Sequence, residues 1–178
     1  MNYVRNVPMV RQRRIYYNNA VYHVTFRGNN RQMILKEDED KQVFLSILSR
    51  FKERFQFKLY GFCLMDTHVH LVIETNHVYN VSRIMQSILL SYSLKFRKKY
   101  NYTGHVWQGR FKSNVIEGDH YILECIEYIH NNPLKANMVK TAEDYPWSSF
   151  YLYHDGKNDI IKKEISLDRY GDTSAITA

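Results

Sequence analysis

Residues 57–75 read FKLYGFCLMDTHVHLVIET, two β-rich runs held apart by the polar pair Asp66-Thr67. Apolar runs of that length with a two-residue polar break between them form a β-hairpin. Side chains alternate along a strand, so Val69, Leu71 and Ile73 line one face of the second run while His68 and His70 share the other. The apolar row asks for helices to cover it. The two imidazoles, on the opposite face, are left able to meet a metal ion in a cleft, and neutral imidazole is the commonest metal ligand. Two histidines at this spacing also fit plain surface decoration or a hydrogen-bonded pair, so other groups have to complete a site.

Upstream of the hairpin, AVYHVTFRGNN (20–30) reads as a strand closed by a Gly-Asn turn, with Val21, His23 and Thr25 on one face and Tyr22, Val24 and Phe26 on the other. From Asp38 to Phe55, Val43, Phe44, Ile47, Leu48 and Phe51 recur at helical spacing. Downstream, a second amphipathic helix runs from about Val81 to Lys99 over Ile84, Ile88, Leu89, Tyr92 and Phe96, and it ends in the basic cluster Lys95, Arg97, Lys98 and Lys99. FKSNVIEG (111–118) reads as a fourth strand. Asp119 is then placed to N-cap a third helix that reaches Asn132 and stops before Pro133. This order predicts an α+β fold: a ferredoxin-like antiparallel sheet with helices on one face, plus an additional C-terminal helix bearing tyrosines. Residues 1–20 form a basic N-terminal segment, 21–150 the domain that carries the chemistry, and 151–178 a tail.

Composition narrows the function classes. A chain of 178 residues suits one domain with its own core, and 15 Tyr and 9 Phe against 7 Gly and 3 Pro exclude a disordered polypeptide. The net charge of +7 and a pI near 9.3 suit a polyanionic partner, although a soluble basic surface alone gives the same numbers. Cys63 and Cys125 make neither a disulfide framework nor a CxxC zinc site. No segment reaches the apolar length of a membrane span, so a cytoplasmic protein with no membrane partner is expected.

The third helix supplies candidate partners for the histidines. Ile122, Ile126 and Ile129 form its core-facing stripe, and Tyr121, Cys125, Tyr128 and Asn132 an adjacent one. Tyr128 and Asn132 are one turn apart, so an amide oxygen can act as a third ligand with a phenol hydroxyl beside the same ion. Taken alone, the helix fits a simpler account in which Tyr128 packs at its edge and Asn132 caps its end. Tyr121 competes with Tyr128, being on the same stripe two turns earlier.

The segments GFCLMDTHVHLVIET and HVWQGRFKSNVIEGDHYILECIEYIHNNPLKANMV, followed by DYPWSSF, resemble the single-tyrosine HUH transposases, in particular the REP-associated tyrosine transposases (RAYT). The likeness spans about Tyr22 to Phe150. It implies that His68 and His70 bind a divalent cation with Asn132 as the polar ligand, and that Tyr128 in EYIHNNP is the nucleophile. It also implies cleavage and rejoining of single-stranded hairpin or REP-like DNA through a 5′-phosphotyrosine, by a monomer or a homodimer. Mg²⁺ and Mn²⁺ both suit such a ligand set. Where the family commonly has Pro-Asn before the first histidine, this chain has Asp66-Thr67, which brings a carboxylate to the hairpin turn. A metal-dependent nickase and a non-catalytic nucleic-acid-binding module on the same fold are the competing readings.

Arg27, Arg31, Arg110, Lys112 and the N-terminal Arg5, Arg11, Arg13 and Arg14 are the candidate phosphate contacts. Trp107 and Phe111, interleaved with Gln108 and Arg110, fit either stacking on unpaired bases or an aromatic plug beside the sheet.

Overall fold

Strand alternation and helical periodicity set the element order of the computed structural model, which describes Tyr17, residues 19–153 and Ile165. The strands are β1 (Val21–Arg27), β2 (Lys58–Leu64), β3 (His68–Glu74) and β4 (Lys112–Ile116). The helices are α1 (Asp38–Phe55), α2 (Val81–Tyr100), α3 (Asp119–His130) and the short α4 (Asn132–Lys135) and α5 (Phe150–Tyr153). Arg5, Arg11, Arg13 and Arg14, and nearly all of the expected N-terminal segment and tail, lie outside the described residues.

The four strands pair antiparallel in the order β2-β3-β1-β4, which is the ferredoxin-like arrangement. The hairpin closes tightly: the Met65 N–H donates to the His68 carbonyl at 2.9 Å, across Asp66 and Thr67. Register then fixes which rows cross the sheet. Arg27 lies opposite His68, Thr25 opposite His70 and His23 opposite Val72. On its other side, β1 sets Thr25 opposite Lys112 and His23 opposite Asn114.

One face is dry. Tyr22, Val24 and Phe26 of β1 and Val69, Leu71 and Ile73 of β3 pack beneath α1 and α2, together with Phe44, Leu48, Ile84, Ile88 and Tyr92. β2 contributes Leu59, Phe62 and Leu64 to the same layer, although Leu59 and Phe62 are three apart. The pairing between β2 and β3 slips between Leu59 and Gly61, and this bulge switches the strand's parity so that apolar residues stay inside on both sides of it. The ends of α1 and α2 are tied by Asp40, which accepts from Lys99 Nζ at 2.9 Å and from the Tyr100 hydroxyl at 2.7 Å.

α3 covers the opposite face, but only in part. Ile122, Ile126 and Ile129 close over Val21, Tyr60, Cys63 and Val72, with Tyr145 at the margin. Gly61 admits this approach, because a Cβ there would stand 3.1 Å from Ile129 Cδ1 and 3.3 Å from Ile126 Cγ1.

Two details of α3 differ from the sequence reading. Its N-cap is Gly118, at φ 98°, and Asp119 is the first helical residue, where its charge favours the helix dipole. Pro133 does not end the helical path either. α3 stops at His130 and α4 starts at Asn132, with Pro133 in its first turn, where the missing N–H has no helical partner to lose.

Candidate active site

Beyond the part of the sheet that α3 covers, the same face turns polar. His23, Thr25 and Arg27 of β1 lie on it, as do His68 and His70 of β3 and Lys112 and Asn114 of β4, all fixed there by parity and register.

The imidazoles form one cluster. His68 and His70 have ring centroids 5.1 Å apart, and His70 stacks on His23 at 5.2 Å with 15° between the planes. His70 Nδ1 is 2.9 Å from His23 Nε2, and Thr25 Oγ1 is 3.3 Å from each of these two nitrogens. His68 Nδ1 is 3.0 Å from Thr67 Oγ1. With Nδ1 engaged on both rings, Nε2 is the nitrogen each can offer outward.

Burial disfavours the charged imidazolium here. It lowers the pKa of His23, and it lowers that of His68 with a further contribution from the Arg27 charge. His70, only 5% exposed, is pushed down to about 3 by desolvation first and then by His68 and His23. Each of these shifts favours the neutral ring, the form in which imidazole binds a metal.

Tyr128 comes to this cluster from α3. Its ring lies edge-on, 6.1 Å by centroid from both His23 and His70, and it remains 46% exposed. α4 folds Lys135 back over it, with Nζ 4.7 Å from the ring centroid. Asn132 donates from Nδ2 to the Tyr128 carbonyl at 3.0 Å and to the Ile129 carbonyl at 3.3 Å, which leaves Oδ1 for another partner. Tyr121 stands apart beside His120, 61% exposed.

Among the described residues no group of three or more His, Cys, Asp or Glu converges to hold a metal ion. His23 is turned to His70, so the ligands expected for a cation are two imidazoles and the neutral Oδ1 of Asn132, whose Nδ2 is bound within its own helix. That mixed set fits Mn²⁺ or Mg²⁺ with phosphate oxygens completing the shell. The Asp66 carboxylate does not join it, because Lys41 of α1 holds it at 3.1 Å.

The candidate DNA contacts divide. Arg27 and Lys112 are exposed on the histidine face, and Arg31 and Arg110 are exposed on the loops that flank the end of β1. Trp107 packs its ring on Phe26 at 5.2 Å and on Tyr92 at 5.8 Å, and its indole N–H donates to the Leu89 carbonyl at 3.0 Å. Phe111 is buried in the core beneath α1 and α2. Of the two readings open for these aromatics, the contacts are those of a plug beside the sheet. The sequence reading gave no role to His23, Thr25, Thr67 or Lys135. The parity of His23 and Thr25 was visible, but their meeting with His70 depends on a strand pairing that one strand's sequence does not encode.

Residues 16–132 match the family model described as IS200-like transposase. A REP-associated tyrosine transposase of Haemophilus influenzae is 24% identical over 136 residues, 66% of this chain and 77% of that protein. The REP-associated tyrosine transposase of Escherichia coli K12 is 28% identical over 74 residues, 42% of this chain and 41% of that protein. A solved REP-associated tyrosine transposase bound to a REP hairpin shares the fold, with a TM-score of 0.70 at 21% identity, over 89% of this chain and 93% of that one.

Proposed function

We propose, because this chain belongs to the IS200-like transposase family, that it cuts and rejoins single-stranded hairpin DNA through a covalent link between Tyr128 and a 5′ phosphate. The observation that carries this reading is the Tyr128 ring, 46% exposed, edge-on to His70 at 6.1 Å, beside imidazoles whose burial favours the neutral form.

In the proposed reaction the Tyr128 oxygen attacks phosphorus as the bond to the 3′ oxygen breaks. The phenol gives up its proton, and the departing 3′ oxygen takes one up as a hydroxyl. One phosphodiester replaces another, so no nucleotide triphosphate is consumed, and attack by a different 3′-hydroxyl joins a new strand. Nε2 of His68, Nε2 of His70 and Oδ1 of Asn132 are the atoms that would hold a divalent cation, Mg²⁺ or Mn²⁺, whose charge when bound stabilises the crowded phosphate. Lys135 sets an ammonium 4.7 Å from the Tyr128 ring, where the attacked phosphate has to arrive. Arg27 and Lys112 on the same face, and Arg31 and Arg110 beside it, would steer the flanking phosphates. Trp107 serves as a buttress for β1 and α2. Tyr128 faces histidines of its own chain, which supports attack in cis rather than by a helix exchanged between subunits. A DNA substrate places this work at the nucleoid, in the cytoplasm.

The test is incubation with labelled single-stranded hairpin DNA and Mn²⁺, followed by denaturing electrophoresis. A covalent adduct that disappears in Tyr128→Phe supports strand transfer. Cleaved product without an adduct would indicate a nickase that uses water, and binding without cleavage a non-catalytic module.

A further inference from the structure

We infer that His23 is a positioning residue that fixes the tautomer of His70, with Thr67 doing the same for His68, so that both rings present an unprotonated Nε2. The choice of tautomer rests on the function proposed above, because the distances alone fit either direction of each hydrogen bond.

A metal-binding nitrogen must carry a lone pair, so each ring has to keep its proton on Nδ1. An unconstrained imidazole favours the opposite arrangement, with the proton on Nε2, and something must hold it otherwise. For His70 that partner is His23 Nε2, 2.9 Å from His70 Nδ1. Thr25 Oγ1, at 3.3 Å from both nitrogens, is the longer contact. His70 is 5% exposed, so water cannot readily take over as acceptor. For His68 the acceptor is Thr67 Oγ1 at 3.0 Å, a residue of the hairpin turn itself. A neighbour that accepts from the far nitrogen of a ligating histidine orients the ring and selects its tautomer, and losing such a neighbour typically weakens metal binding by about 10- to 100-fold.

Parity and register build this arrangement. His23 and Thr25 share a face of β1, and β1 sets Thr25 directly opposite His70, which leaves His23 diagonal to it. The ring planes lie within 15° of each other with centroids 5.2 Å apart, so with 2.9 Å between the two nitrogens the contact runs edge to edge. His23 therefore has its Nε2 committed to His70 and is not a third ligand.

The experiment uses the full chain labelled with ¹⁵N-histidine. Long-range ¹H–¹⁵N spectra of the metal-free protein read each tautomer, and electron paramagnetic resonance titration with Mn²⁺, without DNA, reads affinity. Wild type should show His70 and His68 protonated on Nδ1. His23→Phe keeps the ring volume but not the acceptor, and it should move His70 toward Nε2–H and weaken Mn²⁺ about 10- to 100-fold. His23→Gln, whose amide oxygen reaches about where Nε2 stood, should restore both. Thr67→Val should move His68 alone.

Wild type with His70 on Nε2–H overturns the inference without any variant. So does a folded His23→Phe protein with an unchanged tautomer and unchanged Mn²⁺ affinity, an outcome that leaves the proposed cation site standing. Equal loss in the Phe and Gln variants also overturns it, because packing alone would then explain both. A wild type that holds Nδ1–H tautomers, loses them in His23→Phe and binds no Mn²⁺ upholds the positioning role and sinks the cation reading.

Discussion

The two faces of the sheet are made by the same strands and have opposite characters. Beneath α1 and α2, β1 and β3 offer Tyr22, Val24, Phe26, Val69, Leu71 and Ile73, and all six are buried. On the other face the same strands offer Val21 and Val72 under α3, and then His23, Thr25, Arg27, His68 and His70 beyond its reach. A side chain's role here follows from its parity and from its distance along the strand. Covering only half of a face leaves a rigid platform whose polar end is open to a polymer, while the complete core behind it supplies the stability.

The sharpest way to break this contrast is to cut one residue from each face. Leu71→Ala leaves a cavity in the closed layer and should cost about 2–5 kcal/mol in chemical denaturation. His68→Ala, three positions earlier at the partly exposed end of the other face, should unfold close to wild type yet yield no covalent DNA adduct, with hairpin binding retained. If the two variants are equally destabilised, the division between a structural and a functional face is wrong.

A smaller effect is expected where α3 meets the sheet. Gly61→Ala places a methyl against Ile129 and Ile126, at 3.1 and 3.3 Å before relaxation. We expect roughly 1–3 kcal/mol of destabilisation, and an adduct yield that falls further than hairpin affinity does, because Tyr128 is carried on the displaced helix. An adduct yield unchanged in a demonstrably destabilised protein would show that Tyr128 does not depend on that docking.

The closed face also carries a titratable tie. Burial works to raise the Asp40 pKa, but hydrogen bonds from Tyr100, Lys99 and the Glu37 backbone outweigh it and hold the group below its ordinary 3.8. A carboxyl depressed in the folded state stabilises the fold above its unfolded pKa and loses that contribution as pH falls through the folded one. Asp40→Asn should therefore be less stable than wild type at neutral pH, and the gap should narrow below about pH 4. A gap that stays constant down to pH 2 would mean that the charge of Asp40 contributes nothing.

The smallest effects belong to the exposed cations. Arg27→Ala or Lys112→Ala should weaken hairpin binding modestly and lower the slope of log affinity against log salt by about one each. A slope identical to wild type in both would move the DNA path off the histidine face.

Much of this architecture was legible in the sequence, because alternation and helical spacing are local. The hairpin, both long helices, the fourth strand and the opposed rows of β3 all follow from runs of fewer than about twenty residues. The parts that were not legible depend on pairing between distant segments. His23 reads as one more polar residue on a strand until β1 is set beside β3. Pro133 reads as a stop until the chain is seen to start a fresh turn there, which returns Lys135 to Tyr128. For Trp107 and Phe111, composition alone could not choose between base stacking and packing, since an aromatic ring suits either. The Asp66 carboxylate, expected near the histidines, is instead drawn to Lys41.

The sheet's two margins are treated differently. Along β2, the Leu64 N–H donates to the Trp147 carbonyl at 2.9 Å, the Ser149 N–H to the Phe62 carbonyl at 3.0 Å and the Ile165 N–H to the Leu59 carbonyl at 2.8 Å, so that margin is occupied by the chain's own later residues. β4 ends the sheet on the other side, with no further strand beyond it among the described residues. A slab with two bare margins can add copies without end, as fibres do. With the β2 margin occupied, β4 is the margin among the described residues left for pairing with another sheet, and pairing through one such margin joins two copies head to head and goes no further.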